Sequence, residues 1–279
     1  MKVTYLGTTT LLFDDGKDQL MFDCHITRPS MSKFVIGKIC TDEELADKII
    51  EKFHIERLKA IFVSHSHYDH VLDAPYFAVK SGADIYGSES TVNVAIGGNV
   101  PEQKIHLFDI NREEIIGNYR IKIIPSIHSK AHWYNDDLEQ IIDEPVIQPA
   151  SKAKYKEGGS YDFLIENQER KYLIRPSFNY IEGQLDDIKA DVLFLGIAGL
   201  SKADEATENK FFEETVEKVR PELVVPVHWD NFMSSLEKPI KGMPKFAEDT
   251  AKSMFKLAEY CGENGISCIV QLPMTSFNC

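Results

Sequence analysis

The sequence predicts an α/β fold, a four-layer αββα sandwich in which two mixed β-sheets pack face to face with helices outside. Three observations lead there. Two successive blocks of short, apolar, strand-like runs are each followed by helical periodicity, the pattern of a sheet that covers one face with a second sheet and the other with helices. No low-complexity linker divides the 279 residues, so 1–279 reads as a single domain. A composition of 43% hydrophobic and 10% aromatic residues can bury a sizeable core without disulfides.

Taken in order, the chain opens with VTYLG, TTLLF and QLMFDC, apolar and β-branched runs joined through the turn DDGKD. Thr41 and Glu44 have the spacing of a capping box ahead of DEELADKIIEKF, whose apolar residues recur at helical spacing. LKAIFVSH is a continuous apolar run of the kind buried on both faces. VLDAPYFAVKSG reads as a helix ending at Gly82, ADIYGS as a strand, and STVNVAIGG as a short helix stopped by glycines. KIHLFDI, YRIKIIPSI, YDFLIEN, KYLIRPS and VLFLGIAG are further strands. Residues 129–160 carry charge, proline and paired glycine without periodicity and read as an active-site loop. The last third reads as a helix (ENKFFEETVEKVR), a strand (LVVPVHW), a long helix (PKFAEDTAKSMFKLAEYCGENG) and a closing strand (ISCIVQL).

Charge and cysteine usage narrow the function classes. Lys and Arg number 31 against 44 Asp and Glu, a formal net charge of −13 with no basic run, which disfavours nucleic acid and anionic membrane surfaces as partners. The N-terminal segment lacks a signal peptide's apolar stretch, and no run reaches the roughly 18 apolar residues of a membrane span, so a soluble, cytoplasmic protein acting on a small molecule is expected. Five scattered cysteines without a CxxC pair argue against a disulfide framework or a zinc ribbon.

The chemistry is concentrated in His65-Ser66-His67-Tyr68-Asp69-His70, four metal-ligating side chains within six residues just after a buried strand. In extended backbone His65 and His67 point the same way, while Asp69 and His70 turn aside as a helix begins, a disposition suited to two adjacent ions. Imidazole with carboxylate suits zinc, manganese or iron, and a catalytic site needs further ligands from distant segments. His128 and His228, each ending a strand, are the candidates. His54 and His106 read as structural.

The HxHxDH motif, the FD of LMFDC, the Leu6-Gly7 pair and the strand-end His128 and His228 together resemble the metallo-β-lactamase superfamily, in order and spacing over nearly the whole chain. The resemblance is to the broad branch of ascorbate-lactonase-like and N-acyl-phosphatidylethanolamine-phospholipase-like hydrolases. It implies that His65, His67 and His128 hold one divalent metal ion, zinc above manganese or iron, and that Asp69, His70 and His228 hold a second. Asp23 would support a ligand, and Asp69 would also orient the attacking water. Where the family supplies a bridging aspartate after a strand, this chain has Pro176-Ser177, so whether one or two ions bind is left open. Arg28 and His25, in the loop after Asp23, and His132 are candidates for substrate contact, and Ser177 with Asn179 for positioning water or substrate. The activity implied is metal-dependent hydrolysis of a small ester, lactone, amide or phosphodiester. An iron-dependent oxidoreductase of the same fold and a non-catalytic metal-binding protein are the alternatives.

Overall fold

The computed structural model describes residues 1–29, 37–130, 137–168 and 170–279. In chain order its strands are β1 (Lys2–Gly7), β2 (Thr10–Asp14), β3 (Gln19–Phe22), β4 (Leu58–Phe62), β5 (Asp84–Gly87), β6 (Ile105–Leu107), β7 (Glu114–Ile116), β8 (Tyr119–Ser126), β9 (Ser160–Asn167), β10 (Arg170–Arg175), β11 (Val192–Gly196), β12 (Leu223–Val227), β13 (Ser267–Cys268) and β14 (Thr275–Asn278). They form two seven-stranded sheets, ordered β14-β1-β2-β3-β4-β5-β6 and β13-β12-β11-β10-β9-β8-β7. Each mixes a parallel half, β3 to β6 and β10 to β13, with an antiparallel one.

Alternation along the first sheet shows how the layers stack. Leu11 and Phe13 of β2 point into a core shared with Ile121, Phe163 and Phe194 of the second sheet. Leu12, between them, points the other way, into a cluster with Ile49, Phe77 and Val94. Those last three belong to the helices α1 (Glu43–Phe53), α3 (Ala74–Ser81) and α4 (Glu89–Gly97), with the one-turn α2 (Tyr68–Val71) before α3. Phe211 and Leu257, from α5 (Glu205–Phe212) and α6 (Thr250–Glu263), join the core of the second sheet. The two-sheet sandwich with helices outside is therefore what the chain forms. Among the described residues no helix is long and apolar enough to cross a membrane.

Several elements differ from expectation. Helix α1 is capped by Asp42, whose carboxylate accepts from Leu45 N, whereas Thr41 turns its hydroxyl to the Leu72 carbonyl. The long C-terminal helix starts at Thr250, because Asp249 caps it by accepting from Lys252 N. Strand β7 escapes the sequence reading although its signal is present: Gly117-Asn118 is a two-residue hairpin turn between runs paired Ile116 to Tyr119. ISCIVQL forms a strand only at Ser267–Cys268, and the closing strand is β14, which crosses to the first sheet and pairs with β1. The described part of the predicted loop, 137–160, holds one short 3-10 turn at Lys152–Lys154 before β9 begins.

One buried ion pair ties the two sheets together near the strand ends. Arg28 Nη2 donates to Asp230 Oδ2 at 2.6 Å, and both side chains are inaccessible, at 2% and 0% exposure. Asp230 follows β12, and its Oδ1 also accepts from the Tyr5 hydroxyl (2.7 Å) and Thr8 N (2.8 Å) at the end of β1. Arg28 Nη1 donates to the Asn231 and Ser234 carbonyls. Arg28 thus does not present a free guanidinium to an anionic substrate, as its loop position had suggested; its fork is used by Asp230 and the backbone. Gly7 is part of the same unit. Its φ of +107° suits glycine, and a Cβ there would overlap the Arg28 guanidinium. Arg28→Ala should cost about 3–5 kcal/mol by leaving Asp230 buried and unpaired, and Gly7→Ala should destabilise through the same pair. Urea unfolding of both single variants and of Arg28→Ala with Asp230→Ala checks this; a double variant costing less than the sum of the singles is the expected result.

Candidate metal centre

The motif lies where β4 leaves the first sheet. After Phe62 the chain leaves the sheet and passes through His65 to His67, which takes the N-cap position of α2 in an extended conformation, and α2 carries Asp69 and His70. His128 follows β8 and His228 follows β12, so strand ends from both sheets converge on the same place. His65, His67 and His128 each offer a ligand atom within 4.8 Å of the others, and so do Asp69, His70 and His228. The first three rings stand nearly perpendicular to one another, with centroids 4.7 to 4.9 Å apart. The two groups touch through His65 and His70, whose centroids are 3.7 Å apart.

Hydrogen bonds at the far side of each ring decide which nitrogen is left for an ion. Carboxylates and carbonyls only accept, so the ring nitrogen facing one carries the proton. His70 Nδ1 donates to Asp23 Oδ2 at 2.7 Å, leaving Nε2 on the side of Asp69, 3.9 Å away. His128 Nδ1 donates to the Ser129 carbonyl at 2.9 Å, leaving Nε2. His65 Nδ1 lies 3.2 Å from the Ser64 hydroxyl, while its Nε2 is buried without a partner. His67 Nε2 lies 3.2 Å from Asp137 Oδ1. His228 Nε2 is 3.6 Å from Asp69 Oδ2, and its Nδ1 is buried and unpartnered.

The Asp23 carboxylate accepts from four donors, Ser64 N, Ser64 Oγ, Thr9 Oγ1 and His70 Nδ1, and its own N–H donates to the Phe62 carbonyl. Asp23 thus lies behind the His70 ring, on the side away from Asp69. Non-glycine residues at positive φ gather here, Thr8 at 54°, Asp23 at 51° and His228 at 57°. A β-branched threonine in that region is costly and persists only where its surroundings hold it. Thr8 is so held: its carbonyl accepts from His228 N and the Tyr5 hydroxyl, and its N–H is bonded to Asp230.

Electrostatics agree with a site built for cations. Burial, with His70 and His128 alongside, pushes His65 well below the usual imidazole range. Burial and His67 push His128 down to about 3, and burial and His70 lower His228. Burial alone would raise Asp69, but His70, His228 and His67 outweigh it and hold the carboxyl well below its ordinary value. His70 rises despite burial because Asp23 and Asp69 flank it. Neutral imidazoles with converging lone pairs and an ionised carboxylate are what a divalent ion requires of its ligands. The unpartnered Nε2 of His65 is the group that such an ion would satisfy. The residues present therefore fit a divalent metal.

Other candidates fall differently. His25 is buried, its Nδ1 near the Thr8 hydroxyl (3.2 Å) and its ring edge-on to Tyr68, and burial with Arg28 depresses it to about 3. Its loop is fixed by Asp73, which accepts from Ile26 N, Thr27 N and Thr27 Oγ1. Asn179 Nδ2 donates to the His128 carbonyl at 2.6 Å, so it steadies the backbone that carries a candidate ligand. Ser177 follows β10 and is partly buried, its carbonyl accepting from Asn179 N. His132 lies outside the described residues. His54 ends α1 in a left-handed conformation and His106 bonds Asp84 at 3.0 Å, both away from the centre. Sequence reasoning missed Asp230, Ser64, Thr9 and Asp137. Asp230 directly follows PVHW and could have been noticed there; Asp137, in an acidic run, carries no signal.

Comparison with known proteins agrees with the geometry. The chain is 24% identical over 235 residues to the UPF0173 metal-dependent hydrolase of Carboxydothermus hydrogenoformans, covering 83% of this chain and 86% of that one. It is 23% identical over 234 residues to a UPF0173 protein of Pyrococcus furiosus, covering 83% and 85%. Its fold is similar to that of Igni18, a metallo hydrolase from Ignicoccus hospitalis, with a TM-score of 0.60 at 15% identity over 100% of this chain and 98% of that one. It is also similar to that of CmlA, a diiron beta-hydroxylase from Streptomyces venezuelae, with a TM-score of 0.61 at 13% identity over 100% of this chain and 54% of that one. Residues 6–148, just over half of the chain and including the whole HSHYDH segment and His128, match the model of the metallo-beta-lactamase superfamily, and the chain belongs to that superfamily.

Proposed function

We propose that this chain is a metal-dependent hydrolase, acting with zinc in the cytoplasm on a small ester, lactone, amide or phosphodiester. The observation that carries the reading is the pair of abutting ligand groups, His65, His67 and His128 against Asp69, His70 and His228. A divalent ion held there supplies Lewis acidity to a carbonyl or phosphoryl oxygen and acidifies water. The chain's part is to orient and to manage protons. Asp69, kept ionised by the surrounding histidines, accepts a hydrogen bond from the attacking water and fixes its approach. Asp23 holds the His70 ring so that its Nε2 stays on the Asp69 side. The −13 net charge supports a small molecule over a polyanion as substrate.

The two positions are unequal in this reading. Of the six ligands Asp69 alone is anionic, and Ser177 brings a neutral hydroxyl where the family resemblance leads one to expect a carboxylate. Two divalent ions held in these adjoining groups would repel by more than about 10 kcal/mol at an effective dielectric near 20, four times the value for unit charges, so a missing carboxylate would weaken the second ion. The trihistidine position fills first.

Elemental analysis of protein purified without chelators should find one to two equivalents of transition metal, zinc predominating, and His65→Ala should remove the metal together with hydrolysis of a chromogenic ester, lactone and phosphodiester panel. A chain that takes up no metal when zinc or manganese is supplied would sink the proposal, and iron as the resident metal would favour oxidative chemistry instead. Ser177→Asp should tighten the second equivalent at least about tenfold in calorimetric titration, given roughly 4 kcal/mol between unit charges 4 Å apart at that dielectric. Two equally tight equivalents in the wild type would show that the serine has no such consequence.

A further inference from the structure

The trihistidine group has no carboxylate of its own, yet one stands next to it. Asp137 Oδ1 lies 3.2 Å from His67 Nε2, and among the described residues it is the carboxylate ion-paired with a member of that group. It comes from residues 129–160, far from the motif in sequence, and the segment is pinned where it matters. Glu157, 3% exposed, accepts from Glu139 N at 2.8 Å and from the Ser160 hydroxyl at 2.6 Å. The Glu157 carbonyl accepts from Ser66 N, between His65 and His67. Gly158 N donates to the Gln140 carbonyl, and Ile142 N to the Ser90 hydroxyl at the start of α4. Two residues before the first of these fixed points, Asp137 meets the imidazole.

We propose that Asp137 is a positioning residue for metal binding, which keeps the His67 proton on Nε2 and so presents the Nδ1 lone pair to the ion. This rests on the metal-centre reading given above. The bond fixes tautomer and ring rotation together. His65 and His128 obtain their orientation from neutral groups, the Ser64 hydroxyl and the Ser129 carbonyl, so within the trihistidine group His67 is the ring with an anionic tether.

Zinc alone, titrated into the metal-stripped full chain in competition with a chromophoric chelator, tests the assignment. Asp137→Ala should weaken the tightest zinc equivalent by about 10- to 100-fold, as loss of such a partner does elsewhere. Asp137→Asn, whose amide oxygen still accepts the Nε2 proton, should recover most of that loss. The thermal midpoint of the metal-free chain should be unchanged in both. Wild-type affinity in Asp137→Ala overturns the proposal, and so does an equal loss in both variants, which means direct ligation by the carboxylate. A fall in the metal-free midpoint that tracks the affinity also overturns it, as a structural effect. His67→Ala that binds zinc like the wild type removes the metal-centre reading itself, a failure distinct from the others.

Discussion

The geometry of the metal centre depends on the buried contact of Arg28 with Asp230. The candidate ligands come from strand ends of two different sheets, and sheets that meet only through apolar side chains can slide, because apolar contact has no direction. Asp230 removes that freedom. It follows β12 of the second sheet and takes hydrogen bonds from Tyr5 and Thr8 of the first, while Arg28 closes the remaining side. His228 is two residues away, and its N–H is bonded to the carbonyl of Thr8. The position of one candidate ligand relative to the other five is thus tied to a directional, desolvated ion pair. Gly7 leaves the space in which the guanidinium lies.

Around this clamp the site is arranged as a set of tethered rings. Four of the five candidate-ligand imidazoles have a nitrogen within hydrogen-bond reach of a neighbour: His65 at Ser64, His67 at Asp137, His70 at Asp23 and His128 at Ser129. His228 is held through its backbone instead, in a left-handed conformation. Burial and neighbouring imidazoles disfavour protonating His65, His128 and His228, which keeps their lone pairs available, whereas Asp23 and Asp69 raise His70.

Much of this was legible in the sequence, and the limits follow from physics. The HSHYDH segment could be read because four ligating side chains in six residues need no long-range information, and His128 and His228 because each ends an apolar run. Arg28 was misread for the complementary reason. An arginine in a loop looks available until its partner is known, and Asp230 lies 202 residues away. The same holds for Asp137 and His67, 70 residues apart. Helix starts at Asp42 and Asp249 were displaced from the reading because more than one nearby side chain can cap, and tertiary contacts choose among them: Thr41 is drawn to Leu72. Strand β14 was missed because a four-residue run, TSFN, carries almost no pattern and is made a strand by β1 beside it.

That last strand has a consequence for how the molecule is made. β1 and β14 pair through Lys2 with Asn278 and Tyr5 with Thr275, and the hydroxyls of Thr4 and Ser276 meet at 2.7 Å across 272 positions of sequence. Contacts so remote raise the contact order and come late, since the whole intervening loop must be ordered before they are rewarded. On the ribosome, residues 2–22 emerge as a three-stranded meander whose outer edge stays unpaired until the 270s have been synthesised. An open edge of that kind is where a nascent chain is exposed to association with its neighbours. The second sheet gathers six of its seven strands from 114 to 227 and waits only for the two-residue β13 at its edge. Translation order therefore gives the two halves of the sandwich different schedules, with the half that carries the HSHYDH segment finished last.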